Sequence, residues 1–321
     1  MAPTLTIGVD VGGTKVAAGL VNEQGSVLAS RSRLTPSTSP TMVVEVVAQI
    51  VAELRDMGSA DGAAVEAVGL GAAGFVDAGR STVLFAPNLA WRNEPLRSLL
   101  AERVGLPVVV ENDANAMAWG EYRFGAGQGV DDLVCLTVGT GIGGGLVLGG
   151  MLRRGAFGIG AEVGHLRVVP SGRRCGCGNR GCWEQYCSGR ALLREARDLA
   201  VISPAAAGRM LELADDEVDN ITGQIVTRAG QEGDRGALDC FAQIGGWLGQ
   251  GLADLAALLD PARFVIGGGV IEAGELLLGP ARQAFEQALT GHGHRPVAEV
   301  VAAQLGPSAG VVGAADLARR R

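Results

Sequence analysis

One histidine and three cysteines fall within 18 positions of this 321-residue chain: His165, Cys175, Cys177 and Cys182. Nine residues separate the first two, one the next pair and four the last. An imidazole and three thiolates fill all four corners of a tetrahedral zinc site, and a Cys3His set with no open corner is the structural kind. Four of the six cysteines lie in one 13-residue window, 175–187, which favours metal over stray thiols or a disulfide pair. Carboxylates flank the set, Glu162 in Glu162-Val-Gly-His165 and Glu184 in Cys182-Trp-Glu184. An imidazole that ligates metal through one nitrogen can hydrogen-bond through the other. The segment therefore reads as a polar binding site organised by Zn2+.

Two glycine turns suit phosphate. Asp10-Val-Gly12-Gly13-Thr14-Lys15 ends an apolar run with an acid and then offers successive N–H groups that no side chain shields. The Thr14 hydroxyl adds a donor, and Asp10 could hold Mg2+ directly or through water. Lys15 is the only lysine of the chain, against 26 arginines. It reads either as a phosphate-site cation or as a chance survivor on a surface strand. Gly139-Thr140-Gly141-Ile-Gly-Gly144 also fits G-x-G-x-x-G, but the dinucleotide reading needs a helix after the turn, and Leu146-Val-Leu148 is strand-like. Between the turns, Glu111-Asn112-Asp113-Ala-Asn115 follows an apolar strand and opens a helix. Asn or Asp there makes an N-cap. A carboxylate held ionised at a helix N-terminus can also orient a nucleophilic hydroxyl and accept its proton in phosphoryl transfer.

The elements that must carry these groups are legible by period and punctuation. Strands are expected at Leu5–Val11, Lys15–Val21, Val27–Arg33, Val65–Leu70 and Pro107–Glu111, with helices at Thr41–Met57 and Asp113–Arg123. A second series follows: strand Asp132–Val138, turn Gly139–Gly145, strand Leu146–Leu152. Residues 187–260 read as largely helical. Phe264–Ile266 is a short strand entering Gly267-Gly268-Gly269, Ile271–Thr290 a helix, Ala298–Ala302 a strand, and a helix runs from Ser308. The strand–glycine turn–strand device thus occurs twice, at 5–21 and 132–152. That pattern predicts two related α/β domains with a cleft between them. The boundaries read as 1–113 for a small domain, to which a helix at about 305–321 returns, and 114–304 for a large domain with the zinc-clipped loop.

Composition excludes several functions. The net charge is −7, and the only basic run is Arg319-Arg320-Arg321, which argues against a nucleic-acid surface. The uncharged run Leu133–Leu152 is long enough for a membrane span, but its Gly-rich interior makes a poor helix. No targeting segment is evident. Cys135 and Cys240 lie in apolar runs, and free thiols beside a zinc site fit a reducing cytoplasm.

Taken in order, these motifs resemble the ROK family of sugar kinases and repressors, most closely its bacterial ATP-dependent glucokinases. The resemblance covers essentially the whole chain. It rests on Asp10–Lys15, Glu111–Asn115, Gly139–Gly145, Glu162–His165 and Cys175-Gly-Cys-Gly-Asn-Arg-Gly-Cys182-Trp-Glu184. Single glycine turns are unspecific, whereas the ordered set with the zinc clip is specific. Carried over by position, the resemblance implies Asp113 as the catalytic base. It implies Gly74, Asn88, Asn112, Glu162, His165 and Glu184 as sugar contacts. The two turns would hold ATP phosphates, with Gly268 near the nucleotide. It further implies an actin/hexokinase-like (ribonuclease H-like) pair of domains and a homodimer or homotetramer. Repressor members carry a DNA-binding helix-turn-helix ahead of the first glycine turn, and six residues precede Ile7 here, so a kinase without nucleic-acid or membrane partners is expected.

The expected reaction is transfer of the γ-phosphate of ATP to the 6-hydroxyl of D-glucose, with Mg2+, at the entry to glycolysis. The rivals are a kinase of N-acetylglucosamine, mannose or fructose, a polyphosphate-dependent kinase, and a non-catalytic sugar sensor. The last would need Asp113 or a phosphate turn damaged, and both are intact.

Overall fold

Thr4–Val11 is buried at six of its eight positions and forms β1, which hairpins through Gly12–Thr14 into β2 (Lys15–Val21) and then β3 (Val27–Leu34). The computed structural model describes residues 4–60, 62–87 and 89–320, so Asn88 lies outside the described residues. Helix α1 (Pro40–Ala60) leads to β4 (Ala64–Ala72), which lies parallel to β1. A small antiparallel sheet follows, β5 (Phe75–Val76), β6 (Val83–Phe85) and β7 (Arg92–Glu94), then α2 (Leu96–Val104). β8 (Val108–Asn112) joins β4 in parallel and runs directly into α3 (Asp113–Phe124).

The second series is β9 (Leu133–Val138), β10 (Ile142–Leu148) and β11 (Met151–Arg153). A helical stretch contains α4 (Glu184–Cys187), α5 (Gly189–Ile202), α6 (Gly208–Glu212), α7 (Gly223–Gln231) and α8 (Arg235–Leu259). β12 (Arg263–Gly267), α9 (Glu275–Ala288), β13 (Glu299–Ala302) and α10 (Ala309–Arg319) complete the chain. The two five-stranded sheets have orders β3-β2-β1-β4-β8 and β11-β10-β9-β12-β13, the same succession of third, second, first, fourth and fifth strand. The fold is α/β with mixed sheets. The chain divides into two compact units: Met1–Cys135 with Gly144–Ala161 and Ala303–Arg321, and Leu136–Gly143 with Glu162–Ala302.

In the first unit the strand period of two sorts β1 onto two faces. Leu5, Ile7 and Val9 join a buried core with Val43, Val47, Ile50 and Leu54, which recur on α1 at the spacing of a helical stripe. Each such fully buried side chain contributes on the order of 1.5–3 kcal/mol. Thr6, Gly8 and Asp10 face α10 instead. Arg319 Nη2 donates to Thr6 Oγ1 at 2.8 Å, and a Cβ added to Gly310 would lie 3.3 Å from the Asp10 carboxylate. Gly8 and Gly69 are register partners on β1 and β4. A Cβ on either would fall 1.8 Å from a main-chain oxygen of α10, Val311 O or Ala314 O. This bare pair lets the helix lie directly on the sheet.

Two expectations are corrected, and one stretch gains elements. The strand expected over Leu146–Leu152 is two strands, because Gly149 and Gly150 both take positive φ (60° and 70°) and form a tight hairpin turn. Asp132 Oδ1 accepts from the Gly149 N–H at 2.8 Å and secures it. The helix expected over Ile271–Thr290 starts as a 3-10 turn, Gly269–Ala273, and breaks at Gly274 (φ 57°) before α9. Residues 75–104, to which no element was given, hold β5–β7 and α2. Their strands are two or three residues long, too short for a visible alternation. Among the described residues no helix is long and apolar enough to cross a membrane, and Leu133–Leu152 forms strands.

Candidate active site

In the first unit, β1 delivers Asp10 to the mouth of the first glycine turn. The Gly12 N–H donates to Lys15 O (3.0 Å), and Thr35 braces the turn by donating from Oγ1 to Gly12 O (2.8 Å) and from N to Thr14 O (3.0 Å). Gly12 and Gly13 are half-buried, while Thr14 and Lys15 are exposed. Burial, with a smaller push from Asp113, raises the Asp10 carboxyl to about 7; Lys15 pulls the other way.

The β8–α3 junction carries the candidate base. Asn112 is the N-cap of α3: Oδ1 accepts from the Asn115 N–H at 3.0 Å. Its Nδ2 donates to Asp113 Oδ1 and to Gly74 O, both at 3.1 Å. Asp113 is raised to about 6 by burial, which outweighs the donors from its own N–H, from Ala114 and from Asn112. A carboxylate with that proton affinity is mostly ionised at neutral pH yet basic enough to take a proton from an attacking hydroxyl.

In the second unit, His165 ends a 3-10 turn, Val163–His165. Cys175, Cys177 and Cys182 sit on a loop zipped by backbone pairs Arg167–Cys182 and Arg174–Arg180. The buried Trp183 anchors the loop by donating from Nε1 to Trp247 O at 2.8 Å. His165 Nδ1 lies 3.6 Å from Cys175 Sγ, Cys177 Sγ lies 3.6 Å from Cys182 Sγ, and the four candidate ligand atoms lie within 4.8 Å of one another. The edge of a tetrahedron built on zinc–sulfur bonds of about 2.3 Å is about 3.8 Å, so donor types and spacing fit Zn2+. All six cysteines are free. With Nδ1 turned toward the cysteines, His165 Nε2 faces Glu162, 3.8 Å away. Glu184 Oε1 accepts from Cys175 Sγ at 2.9 Å, and its Oε2 accepts from the Ile142 N–H at 3.4 Å. One carboxylate thus touches both the candidate metal clip and the second glycine turn.

That turn opens into a cavity of about 700 Å3 within the same unit, lined by Gly139, Thr140, Arg190, Thr222, Gln224 and Glu272, among others. The N-termini of α5 and α7 reach its wall at Gly189 and Gly223. Helix N-termini favour anionic groups. Gly268 (φ 88°) is pressed against Val138, where a Cβ would lie 2.5 Å from Val138 O, and its neighbours Gly269 and Val270 line the cavity.

The sequence model of the ROK family matches residues 6–321. The chain belongs to the ROK family. It is 52% identical over 315 residues to a glucokinase of Streptomyces coelicolor, covering 98% of each chain. The crystal structure of a ROK family glucokinase from Streptomyces griseus, in complex with glucose and AMPPNP, matches with a TM-score of 0.90 and 56% identity over 99% of this chain and 100% of that one. A ROK hexokinase from Thermus thermophilus matches with a TM-score of 0.81 and 36% identity over 98% of both.

Within this ROK chain the structure joins Asn112 to Gly74 and Asp113, and His165 to the three cysteines, Glu162 and Glu184. Two groups escaped sequence reasoning. The cavity residues Arg190, Thr222, Gln224 and Glu272 are ordinary surface types, the first three at the starts of α5 and α7 and the last in the 3-10 turn before α9. Only the capping pattern at Ser188 and Thr222, which accept from the Ala191 and Ile225 N–H groups, marked their location. The second group is Arg80 and Arg154, which converge on the buried Glu111. Nothing in their spacing signals it.

Proposed function

We propose that the chain is an ATP-dependent glucokinase that transfers the γ-phosphate of ATP to the 6-hydroxyl of D-glucose, giving glucose 6-phosphate and ADP. The observation that carries this reading is the likeness to the Streptomyces griseus enzyme that holds glucose and AMPPNP, together with an intact Asp113 and both glycine turns.

In this reading Asp113 accepts the proton of the 6-hydroxyl as that oxygen attacks the γ-phosphorus, and the bond from phosphorus to the β–γ bridging oxygen breaks, releasing ADP. Asn112, Gly74, Glu162, His165 and Glu184 hold the sugar, with Asn88 expected to join them. N–H groups of Gly12, Gly13, Thr14, Gly139, Thr140 and Gly141 meet phosphate oxygens, and Lys15 adds a positive charge. The adenosine end occupies the cavity beyond Thr140 and Gly268. Mg2+, held near Asp10, would neutralise phosphate charge when bound. Zn2+ on His165, Cys175, Cys177 and Cys182 would fix the ring so that Nε2 meets the sugar. We further assign the protein to the cytoplasm as a homodimer or homotetramer without nucleic-acid or membrane partners.

A coupled assay across sugars and donors tests the reading. Turnover with glucose and ATP should exceed that with N-acetylglucosamine, mannose or fructose, and that with polyphosphate. A preference for another hexose would transfer the assignment to that sugar, and no turnover with any pair would leave a sensor.

A further inference from the structure

Glu111 stands two residues before the proposed base, is 2% exposed and spends both carboxylate oxygens. Oε1 accepts from the Asn112 N–H at 3.1 Å and from Asn115 Nδ2 at 3.2 Å. Oε2 takes Arg154 Nε at 2.5 Å, with Arg80 Nε at 3.4 Å. The first pair of bonds fixes the peptide at the N-cap of α3 and the side chain one turn into that helix. Asn112 in turn holds Asp113 Oδ1. A connected path therefore runs from Arg154 through Glu111 and Asn112 to the base.

The guanidinium side is itself built. Arg80 is held in the left-handed region (φ 56°), within a turn where Asp77 accepts from the Ser81 and Thr82 N–H groups at 2.8 Å each. Such a conformation costs energy and persists only where its surroundings impose it. Arg154 begins a loop that closes on itself through the Gly160 N–H to Arg154 O (2.8 Å). The α-carbon of Gly158 in that loop lies against the main chain of Val76–Ala78, where a Cβ would come within 2.4 Å of Val76 O. The 154–160 loop thus grips both the 77–82 turn and Glu111. The chain then continues into Glu162 and His165. A buried carboxylate stripped of its cationic partner is strongly unfavourable and reorients or takes up a proton, either of which releases the Asn112 N–H.

We propose that Arg154, through its ion pair with Glu111 and supported by Arg80, is a positioning residue that sets the aim of Asp113. The proposal rests on the reading of Asp113 as the base. Misplacing a reacting group by about an ångström can cost on the order of 100-fold in rate. Arg154→Met and Glu111→Gln should each lower kcat by about 10- to 100-fold, with KM for Mg·ATP within about twofold and circular dichroism unchanged. Arg154→Lys should recover part of the loss by restoring a cation. The Glu111→Gln/Arg154→Met double variant should be no worse than the poorer single variant, because one path is cut twice. A folded Arg154→Met with wild-type kcat, or losses that multiply in the double variant, would overturn the proposal. If Arg154→Met does not fold, Glu111→Gln and Arg154→Lys decide by the same kcat criterion. Asp113→Asn, run beside them, separates the two readings: if it is inactive while Arg154→Met is normal, only the positioning role falls.

Discussion

Glu184 closes over Gly141: a Cβ added to Gly141 would lie 2.4 Å from Glu184 Oε2. The same carboxylate reaches Cys175 Sγ through its other oxygen. The candidate metal clip and the second glycine turn therefore share one side chain, and disturbance of either should be felt at the other.

Gly141→Ala tests this. Alanine is acceptable to the backbone, since Gly141 is not among the positive-φ glycines. The new methyl meets only the end of a flexible side chain, so the protein should fold with Tm lowered by no more than a few degrees. Glu184 must swing away, and the Kd for glucose should rise about 10-fold or more, the usual scale for a displaced supporting group. Isothermal titration with glucose measures it; unchanged affinity would show that Glu184 does not hold the sugar.

Asp113→Asn keeps the cap-region shape but cannot accept a proton. kcat should fall by at least about 100-fold while glucose still binds by calorimetry. Near-normal turnover would make another group the base.

Activity should depend on pH through two carboxylates. kcat should rise with pH through about 6 as Asp113 ionises, and KM for Mg·ATP should rise below about 7 as Asp10 takes up a proton. Stability runs the other way. Both groups bind protons more tightly folded than at their ordinary value of 3.8. Their contribution is therefore fully present below about pH 4 and is lost as pH rises through 6–7. Asp10→Asn removes the larger share. At about 1.4 kcal/mol per tenfold change in proton affinity, the gain at pH 8 is at most about 4 kcal/mol. Scanning calorimetry should show the variant a few degrees more stable at pH 8, with the margin narrowing toward pH 5, and much less active. A variant less stable than wild type at pH 8 would contradict the burial argument.

Metal analysis of purified protein should find about one zinc per chain. Cys177→Ala should lose it, lower Tm and weaken glucose binding by about 10- to 100-fold, because the His165 ring is freed. ATP affinity should change less, since its proposed contacts are main-chain groups of the turns. Wild type without zinc, or a variant that loses ATP affinity but keeps glucose affinity, would overturn this account.

The sequence by itself determined the local pieces. Strand and helix periods placed β1, β2, β8, α1 and α3 within a few residues, because each is long enough to show which face it buries. The repeated strand–glycine turn–strand device was readable because glycine and threonine mark both turns, and the same strand order appears in both sheets. The candidate zinc set was legible because its four residues are close in the chain and chemically unlike their neighbours. Tertiary structure decided what depends on distant partners. That α10 lies along Thr6, Gly8 and Asp10 follows from two glycines meeting across β1 and β4, a register that no local pattern reports. Arg80, Glu111 and Arg154 come together although Glu111 lies 31 and 43 residues from the two arginines, and charged residues at such separations carry no periodic signal. The proton affinities of Asp10 and Asp113 are likewise set chiefly by burial, with Asp113 adding to the rise at Asp10. Desolvation is a property of packed surroundings, and it exists only once the chain has folded.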